Sequence, residues 1–414
     1  MVFLAKVDKI SKSESEQAPR RILYAVGPGD VVGQYRDKQA GKIPPFQMSI
    51  PFSEQFLEKC EEAGAEAHLI SWHGRRDRFQ FGKFELENWP QPALYFKGGI
   101  KHYLGTMLYG LEIVWQAVRE RATVVIADSG TTRWFVFSLL ALFRIPVIAV
   151  MYSAIWPMGY PPTRRIDRLM KSLDGSFFRH FAAATVNISP ECERQVRESA
   201  GKPRGAFYQF RPQYRREFLG TILLPTQWPF RPFNVLFIGR VEEFKGVFLI
   251  LSMAERLEAE MPGCFKWRIV GTGAALERLR SEIVARSLSE IVEAPGPFPD
   301  EATARATMTW THAMIVPTTS AFKEGLAMTA AESVLAGRPV VLSTVVPAWE
   351  VLANACIKVE TDSVEAPLEA LRRLATDHVY YTEHQQATIG VRDQFYDHTQ
   401  SLGAVLWRAV AALH

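Results

Sequence analysis

The sequence has little cysteine and lacks the short motifs that would place it in a hydrolase or zinc-protein class. Its 414 residues include four cysteines, and no two of them form a C-x-x-C pair. This scatter argues against a disulfide framework or a cysteine-based zinc site and is typical of a reducing compartment. Neither H-E-x-x-H nor G-x-S-x-G occurs, so the two commonest local signatures of metalloproteases and serine hydrolases are missing.

The chain also lacks an uninterrupted hydrophobic run that would predict a membrane-spanning helix. The longest candidate, Trp134 to Tyr152, is broken by Arg144 and Pro146. We interpret it as a buried helix from Thr132 to Phe143 and a strand from 147 to 151. The N-terminus shows no secretory hydrophobic region, and residues 1–20 predict a polar, mobile tail. These features predict a cytoplasmic protein.

The net charge of +4 hides an asymmetry between the two halves. Residues 1–220 carry 31 Lys and Arg against 22 Asp and Glu, whereas residues 221–414 carry 17 against 22. A basic first half suits an anionic substrate or the anionic inner face of a membrane, which predicts peripheral membrane contact. The alternative is a drift of charge between domains that has no function.

Strands and helices alternate along most of the chain, which predicts an α/β fold with a doubly wound parallel sheet in each half. A segment rich in X-Pro pairs, residues 211–232, separates the halves. We therefore expect an N-terminal Rossmann-like domain over residues 1–220, a C-terminal one over 221–390 and a central cleft between them. Residues 391–414 predict a terminal helix that packs back on the first domain.

Two stretches of the first half show no clear period. Residues 33–50 include Pro44-Pro45 and predict a loop. Residues 72–100 contain several arginines and aromatics, and two interpretations stay open for them: an excursion on the acceptor side or a long loop.

The most informative segment runs from residue 321 to 342 and predicts a loop, a helix and a strand. Helical spacing from Leu326 to Ala336 follows Glu324 and Gly325. Free N–H groups at the helix start suit a phosphate, and a carboxylate at that mouth suits sugar hydroxyls. Gly325 removes a Cβ at the turn, so we expect a ligand to approach the backbone there. Glu332 follows eight residues after Glu324, two turns into the predicted helix.

A second segment supplies positive charge. Gly239-Arg240 and Lys245-Gly246 follow the first strand of the second half. Arg240 offers a planar fork to phosphate oxygens, and Lys245 adds a point charge beside it.

Together, the Glu324–Glu332 spacing followed by Gly337-Arg-Pro-Val-Val and the Arg240–Lys245 segment resemble the signature of retaining glycosyltransferases of family 4. The resemblance implies the GT-B fold and a nucleotide-diphospho-sugar donor. It implies catalytic roles for Arg240 and Lys245 on the leaving diphosphate and for Glu324 at the sugar, with Glu332 at the ribose. The substrate-binding residues that it implies are Gly27, Gly29, Tyr152, Gly239, Gly271, Phe298, Gly325, Leu326, Ala327 and Glu332.

Gly271-Thr-Gly273 suggests a dinucleotide site, but the fingerprint lacks its third glycine and its acidic partner. It is more similar to the family's V-G-x-G-P turn, and residues 296–299, with Phe298, to its nucleobase loop. In the first half, Gly27 and Gly29 are similar to the family's glycine loop. Tyr152 stands where the family often has a histidine in the cleft; a tyrosine can donate a hydrogen bond but cannot act as a base near neutral pH.

The resemblance implies a hexosyltransferase that retains configuration and uses a saccharide or lipid-linked acceptor in cell-surface polysaccharide or glycolipid assembly. No Asp-x-Asp occurs, so we expect neither a metal ion nor another cofactor, and we expect no nucleic-acid partner. Two alternatives stay open. One is another GT-B enzyme, such as a nucleotide-sugar epimerase or a phosphorylase-like enzyme, and the other is an inactive relative that binds a nucleotide or a partner.

Overall fold

The computed structural model describes residues 21–42, 46–225 and 228–413. The polar N-terminal stretch for which we predict a mobile tail, and Pro44-Pro45, lie outside the described residues.

The first domain is an eight-stranded sheet in which all neighbours pair in parallel except β3 and β4, which form an antiparallel hairpin at one edge. Its strands are β1 (Arg21–Pro28), β2 (Glu66–Trp72), β3 (Asp77–Phe81), β4 (Phe84–Trp89), β5 (Val124–Asp128), β6 (Val147–Met151), β7 (Ala182–Asn187) and β8 (Ala206–Gln209). Their order across the sheet is β3-β4-β2-β1-β5-β6-β7-β8. The helices are α1 (Val31–Gln39), α2 (Phe52–Glu62), α3 (Gly99–Arg119), α4 (Arg165–His180), α5 (Pro190–Ala200) and α6 (Arg216–Leu219), with 3-10 helices at Ala93–Lys97 and Trp134–Phe143.

The second domain is a six-stranded, all-parallel sheet. Its strands are β9 (Phe233–Ile238), β10 (Phe265–Val270), β11 (Val292–Gly296), β12 (Ala313–Val316), β13 (Val340–Ser343) and β14 (Cys356–Val359), in the order β11-β10-β9-β12-β13-β14. Its α-helices, with those of the C-terminal segment, are α7 (Val247–Glu260), α8 (Leu276–Ala285), α9 (Glu301–Trp310), α10 (Met328–Leu335), α11 (Trp349–Leu352), α12 (Glu365–Thr376), α13 (His378–Ile389) and α14 (Leu402–Ala411). Short 3-10 helices lie at Glu243–Lys245, Ala353–Ala355, Asp393–Phe395 and His398–Gln400.

Both sheets reverse their strand order beside their first strand, between β1 and β5 and between β9 and β12. Open α/β sheets bind ligands outside the carboxyl ends of the strands at such a switch point. The ends of all four strands line one cavity between the domains. The doubly wound, two-domain architecture expected from the sequence is therefore confirmed.

The core explains why the two domains pack as they do. One hydrophobic cluster fills the first domain and continues into the second, where it includes Leu236 and Val334. A second cluster, which includes Val235 and Trp267, covers the other face of the second sheet. Val235 and Leu236 are neighbours on β9 and point to opposite faces, as alternation along a buried strand requires.

The prediction of a loop over residues 33–50 is wrong for its first part, because α1 occupies residues 31–39. Asp30 caps this helix, and its Oδ1 accepts a hydrogen bond from the Gly33 N–H at 2.7 Å. Val31, Val32 and Tyr35 are its only buried residues. So short an apolar face, interrupted by Gly33, leaves almost no period to detect.

The apolar run from 134 to 152 divides as the sequence indicates, into the 3-10 helix and β6. The helix is not buried throughout, however, since Leu142 is 78% and Phe143 54% exposed. Among the described residues, no helix combines the length and the apolar character that crossing a bilayer needs.

The prediction of a continuous helix over residues 391–413 is also wrong. Two 3-10 turns precede α14, because Asp397 and Ser401 each accept a backbone N–H and start a new element. The final helix packs against α2 of the first domain, where the Leu402 N–H donates to Oε1 of Gln55 at 3.0 Å. Gly403 allows the close approach, because a Cβ there would lie 2.1 Å from the Gln55 carbonyl oxygen.

Candidate active site

A cavity of about 560 Å³ lies between the carboxyl ends of the two sheets. Its first-domain wall comes from the β1–α1 turn and the ends of β5, β6 and β7, and its second-domain wall from the end of β9 and from residues 324–329. Nine of the residues predicted from the sequence line it: Gly27, Gly29, Tyr152, Gly239, Lys245, Glu324, Gly325, Leu326 and Ala327.

Lys245 and Glu324 form an ion pair on the second-domain wall. The Lys245 ammonium contacts Oε1 of Glu324, and both side chains are largely buried. Thr318 at the end of β12 donates to the same oxygen at 2.8 Å. The other carboxylate oxygen, Oε2, has no hydrogen-bond partner among the described residues, so it remains free for a ligand hydroxyl.

Arg240 lies outside the lining of this cavity and is exposed. Its guanidinium carbon is 5.3 Å from the Phe244 ring centre and 5.1 Å from that of Phe322. These two rings stack at 4.7 Å, and the Lys245 ammonium is 4.4 Å from the Phe322 centre. Cations attract the face of an aromatic ring, so the stacked pair holds both positive groups at one side of the cavity.

The helix after Glu324 begins at Met328, two residues later than the sequence indicates. Ala327 adopts a left-handed φ of 66° just before it, which turns the chain into the helix. The Thr329 hydroxyl donates to the Ile238 carbonyl at 2.8 Å and ties the helix start to β9. Backbone N–H groups of a first helical turn have no intrahelical acceptor, and here Met328 and Thr329 line the cavity.

Because the helix starts late, Glu332 lies a little over one turn into it rather than two. It is 8% exposed and is not part of the cavity lining. Burial raises the pKa of its carboxyl to about 7, so this residue titrates near neutral pH.

Gly325 does not leave room for a ligand, which corrects the expectation from the sequence. A Cβ on Gly325 would lie 1.8 Å from the carbonyl oxygen of Tyr152 and 3.0 Å from Ile188. The Ala154 N–H also donates to the Glu324 carbonyl at 3.2 Å. The first domain therefore occupies the space, and the glycine allows the two domains to meet beside the cavity.

Gly271 and Phe298 lie outside the cavity lining. Gly271 has a φ of 143°, and a Cβ on it would lie 1.8 Å from the Gly239 carbonyl oxygen. It thus packs the β10 turn against the β9 turn, behind the cavity wall. Phe298 is partly buried against the core.

The first-domain wall contains a hydrogen-bonded chain that the sequence analysis missed. Tyr24 donates to Oδ1 of Asp128 at 2.9 Å, and its hydroxyl is 2.9 Å from that of Tyr152. The Gly27 N–H donates to Oδ2 of Asp128, also at 2.9 Å. An ionised Asp128 takes the single hydroxyl proton of Tyr24, so that Tyr152 donates to Tyr24, whereas a protonated Asp128 can donate to Tyr24 and reverse the order. The direction of the hydrogen bond that Tyr152 can offer a ligand therefore follows the protonation of Asp128.

Burial is the largest influence on the pKa values of the three side chains in this hydrogen-bonded chain. It raises the pKa of Asp128 to about 8, although the Gly27 N–H and Tyr24 partly offset the shift. Burial also raises the pKa values of Tyr24 and Tyr152, and the nearby Asp128 adds to both shifts. Tyr152 therefore has no proton-accepting role near neutral pH. The sequence signal that could have revealed this hydrogen-bonded chain is Asp128, a carboxylate at the end of the apolar run that forms β5.

A possible metal-ligand cluster lies away from the cavity. His68, Glu85 and Glu87 come close enough to share an ion, but Arg78 pairs with both carboxylates and Trp89 donates to Glu87. Within the ranges that the structure describes, none of these residues lines the cavity.

Comparison with known proteins identifies the class. Residues 232–377 match the family model described as Glycosyl transferases group 1, a range that holds Arg240, Lys245, Glu324 and Glu332. The comparison with curated proteins gave no match.

Solved structures extend the likeness to the whole chain. HepE from Anabaena in complex with UDP is 11% identical with a TM-score of 0.64, covering 95% of this chain and 100% of that chain. The trehalose-6-phosphate structure from E. coli bound with UDP-2-fluoro glucose is 10% identical with a TM-score of 0.68, covering 94% and 99%. Sucrose-phosphate synthase from Thermosynechococcus elongatus is 14% identical with a TM-score of 0.66, covering 95% and 97%.

At these identities the structural likeness establishes the fold, which is the GT-B fold. The family match over the second domain adds the class. This protein is a glycosyltransferase enzyme whose second domain carries the group 1 sequence pattern.

Proposed function

We propose that this enzyme transfers a sugar, with retention of configuration and without a metal ion, from a nucleotide-diphospho-sugar to an acceptor hydroxyl. The observation that carries the proposal is the Lys245–Glu324 pair at the cavity wall, beside Arg240 and the start of α10. Structural neighbours bound to UDP and to UDP-2-fluoro glucose support a uridine nucleotide as the first donor to test.

Negative charge would develop on the leaving diphosphate as the sugar bond breaks. Lys245, Arg240 and the N–H groups of Met328 and Thr329 would stabilise it, and helix starts and fixed cations serve this role in proteins. Since these groups lie at one side of the cavity before any ligand arrives, little reorganisation would be needed. Cationic side chains and backbone donors would thus take the place of a metal ion.

Glu324 would act at the sugar. Its Oε1 is occupied by Lys245 and Thr318, which leaves Oε2 for the sugar hydroxyls and for charge that develops on the ring. Lys245 would then lie between the sugar and the leaving diphosphate, because it contacts the Glu324 carboxylate and lies next to the proposed diphosphate position. Glu332, buried behind this wall, would contact the ribose only with a side-chain movement toward the cavity.

The first domain would supply the acceptor side. Its basic character supports an anionic acceptor and a cytoplasmic protein held at the inner face of a membrane, as in polysaccharide or glycolipid assembly. Near the reacting centre, the Tyr152 hydroxyl would form a hydrogen bond with a sugar or acceptor hydroxyl.

A two-part experiment tests the proposal. Thermal shift with UDP, GDP, ADP and their sugars should select one nucleotide, since ligand at about 100 times its Kd adds about 2.7 kcal/mol of stability. Turnover of the selected donor, with a panel of saccharide and lipid-linked acceptors, should then survive excess EDTA. Activity that EDTA abolishes and manganese restores would refute the metal-free clamp.

The same assay separates the alternatives. Conversion of the donor without any acceptor would favour an epimerase, and a donor that binds but is never consumed would favour an inactive relative. Linkage analysis of the product by NMR tests retention, because an inverted anomeric centre would contradict the proposal.

A further inference from the structure

The first domain exposes an unusual amount of apolar surface. Of 18 large hydrophobic side chains that are exposed in the described residues, 14 lie between residues 96 and 181. Scattered single exposed apolar residues are ordinary, whereas a contiguous set marks an interaction surface.

Eleven of these 14 side chains lie on three neighbouring helices. Along α3, the exposed residues Ile100, Leu104, Leu108, Leu111 and Trp115 recur every three or four positions and form a stripe. The opposite side of α3 is buried against the sheet, so this helix is apolar on both sides. A surface helix needs apolar residues only on the side that packs against the protein. Packing within the domain therefore does not explain the outer stripe of α3, which must have another function.

The stripe continues onto the two elements beside it. The 3-10 helix at 134–143 packs between α3 and α4 and exposes Leu142 and Phe143. On α4, Ile166, Leu169 and Leu173 again recur at helical spacing and are exposed. We call the outward side of these three helices the apolar face.

The stretch of chain that carries the apolar face is basic on its exposed surface. Between residues 96 and 181, nine Lys and Arg side chains are exposed, whereas Glu112 is the single exposed carboxylate of this described range. Helices that lie in a membrane interface combine an apolar stripe with Lys, Arg and Trp. From this combination we infer that the apolar face docks on an anionic bilayer and inserts its leucines and Trp115 into the interface.

The charge also decides against a second copy of this chain. A symmetric dimer through the face would bring the same patch against itself, and thus its cations against the same cations of the second copy. Like charges brought together across an interface cost free energy. An anionic lipid surface instead satisfies both the apolar and the charged parts.

The position of the face fits the proposed activity. A smaller cavity of about 250 Å³ shares Ser129 and Ser153 with the main cavity and reaches His102 and Tyr103 in the first turns of α3. The smaller cavity therefore lies between the main cavity and the helix that begins the apolar face. The inference deepens the membrane contact proposed above by naming its surface and its lipid, but it does not depend on sugar transfer.

Vesicle sedimentation tests it with matched variants. The protein should bind phosphatidylcholine vesicles that contain phosphatidylglycerol, and high salt should weaken that binding without removing it. The double variant Leu104→Gln/Leu108→Gln should bind about tenfold more weakly per leucine. The control Val284→Gln/Val379→Gln, which changes second-domain side chains that are 70% and 66% exposed, should bind as the parent does.

Charge and insertion are tested separately. Arg165→Gln/Arg168→Gln should weaken binding about fivefold per charge, whereas Arg215→Gln, an exposed arginine outside the face, should not. Vesicles of brominated lipid should quench fluorescence in the parent, and Trp115→Leu should remove that extra quenching. All face variants should keep the thermal shift given by the donor nucleotide, so a failed donor site and a failed membrane site are distinguishable.

Three outcomes would overturn the inference. They are equal vesicle binding by the leucine variant and its control, binding that high salt abolishes completely, and self-association in ultracentrifugation that the leucine variant removes. The last would make the face a protein interface.

Discussion

The second-domain wall of the cavity has its charged groups in two short segments around Lys245 and Glu324, whereas the hydrogen-bonded chain of the first-domain wall is made from single residues of separate strands. Lys245 and Glu324 are 79 residues apart, and each lies in a recognisable local motif. Tyr24 is 104 residues from Asp128 and 128 from Tyr152, and of the three only Tyr152 was predicted from the sequence.

The two walls of the cavity also differ in charge. The second-domain wall brings fixed positive charge and an ion pair, which suits a diphosphate. The first-domain wall is a neutral hydrogen-bonded chain, because burial keeps Asp128 protonated to about pH 8. The second domain would therefore stabilise the charge of the diphosphate, and the first domain would position uncharged hydroxyl groups.

The largest expected effect is on the positive side. Arg240→Ala and Lys245→Ala should each lower kcat about 100- to 1,000-fold with a smaller change in donor affinity, because the charge they meet grows in the transition state. The double variant should lose less than the product of the two factors, since both residues serve one leaving group. Arg240→Lys should also be poor, because an ammonium cannot replace a two-pronged guanidinium.

The structure adds a difference in stability between these two residues. Lys245→Ala leaves the buried Glu324 carboxylate without its cation and should cost about 1–3 kcal/mol, whereas exposed Arg240→Ala should leave the melting temperature unchanged. Arg278→Ala, which removes a cation that bridges to Glu243 beside Lys245, is the control for both. Normal turnover in either active-site variant would make these cations structural.

A smaller effect should separate the two carboxylates of the second domain. Glu324→Gln should lower kcat strongly, since its free oxygen faces the cavity, and Glu332→Gln should mainly raise the donor KM. Because the pKa of Glu332 is raised to about 7, the donor KM of the parent enzyme should fall as pH rises through 7. Donor KM measured from pH 6 to 8 should be flat in Glu332→Gln, and an unchanged slope would remove Glu332 from the donor site.

The contact between the walls can be broken by one methyl group. Gly325→Ala places a Cβ against the Tyr152 carbonyl and should cost about 1–3 kcal/mol of unfolding free energy through overpacking. Gly29→Ala, where a Cβ meets no atom within 4 Å, is the matched control on the same cavity. Denaturant unfolding of both variants measures the difference, and equal midpoints would mean that the domains do not meet as described.

The smallest effect at acid pH is expected on the first-domain wall. Asp128→Asn resembles the protonated carboxyl and should change stability little below about pH 4. The folded state holds the proton of Asp128 up to about pH 8, whereas the unfolded chain loses it near pH 4. Stability from this group is therefore full below pH 4 and is lost as pH rises toward 8. Melting temperatures from pH 4 to 9 should diverge in favour of the Asn variant as pH rises, and parallel curves would contradict a neutral Asp128.

Local pattern alone was enough for much of this protein. The alternation of apolar strands and helices predicted two parallel sheets, since that periodicity reflects burial of each strand. The motifs around Arg240, Lys245 and Glu324 predicted where charge would gather, because strand ends and helix starts lie next to each other in βα units. Asp300 and Ser189 cap the starts of α9 and α5, and such residues can be recognised in a sequence because capping is a contact between near neighbours.

Only the tertiary structure decided the rest, because it depends on residues that are distant in the chain. The Tyr24–Asp128–Tyr152 chain forms across the neighbouring strands β1, β5 and β6, and no local pattern records which strands are neighbours. The sequence suggested that Gly325 lets a ligand approach the backbone. In the structure it lets the two domains meet, because the Tyr152 carbonyl lies against it. The apolar face had the same origin: the leucines of α3 look like ordinary core residues until the sheet covers one side of the helix and leaves the other in solvent.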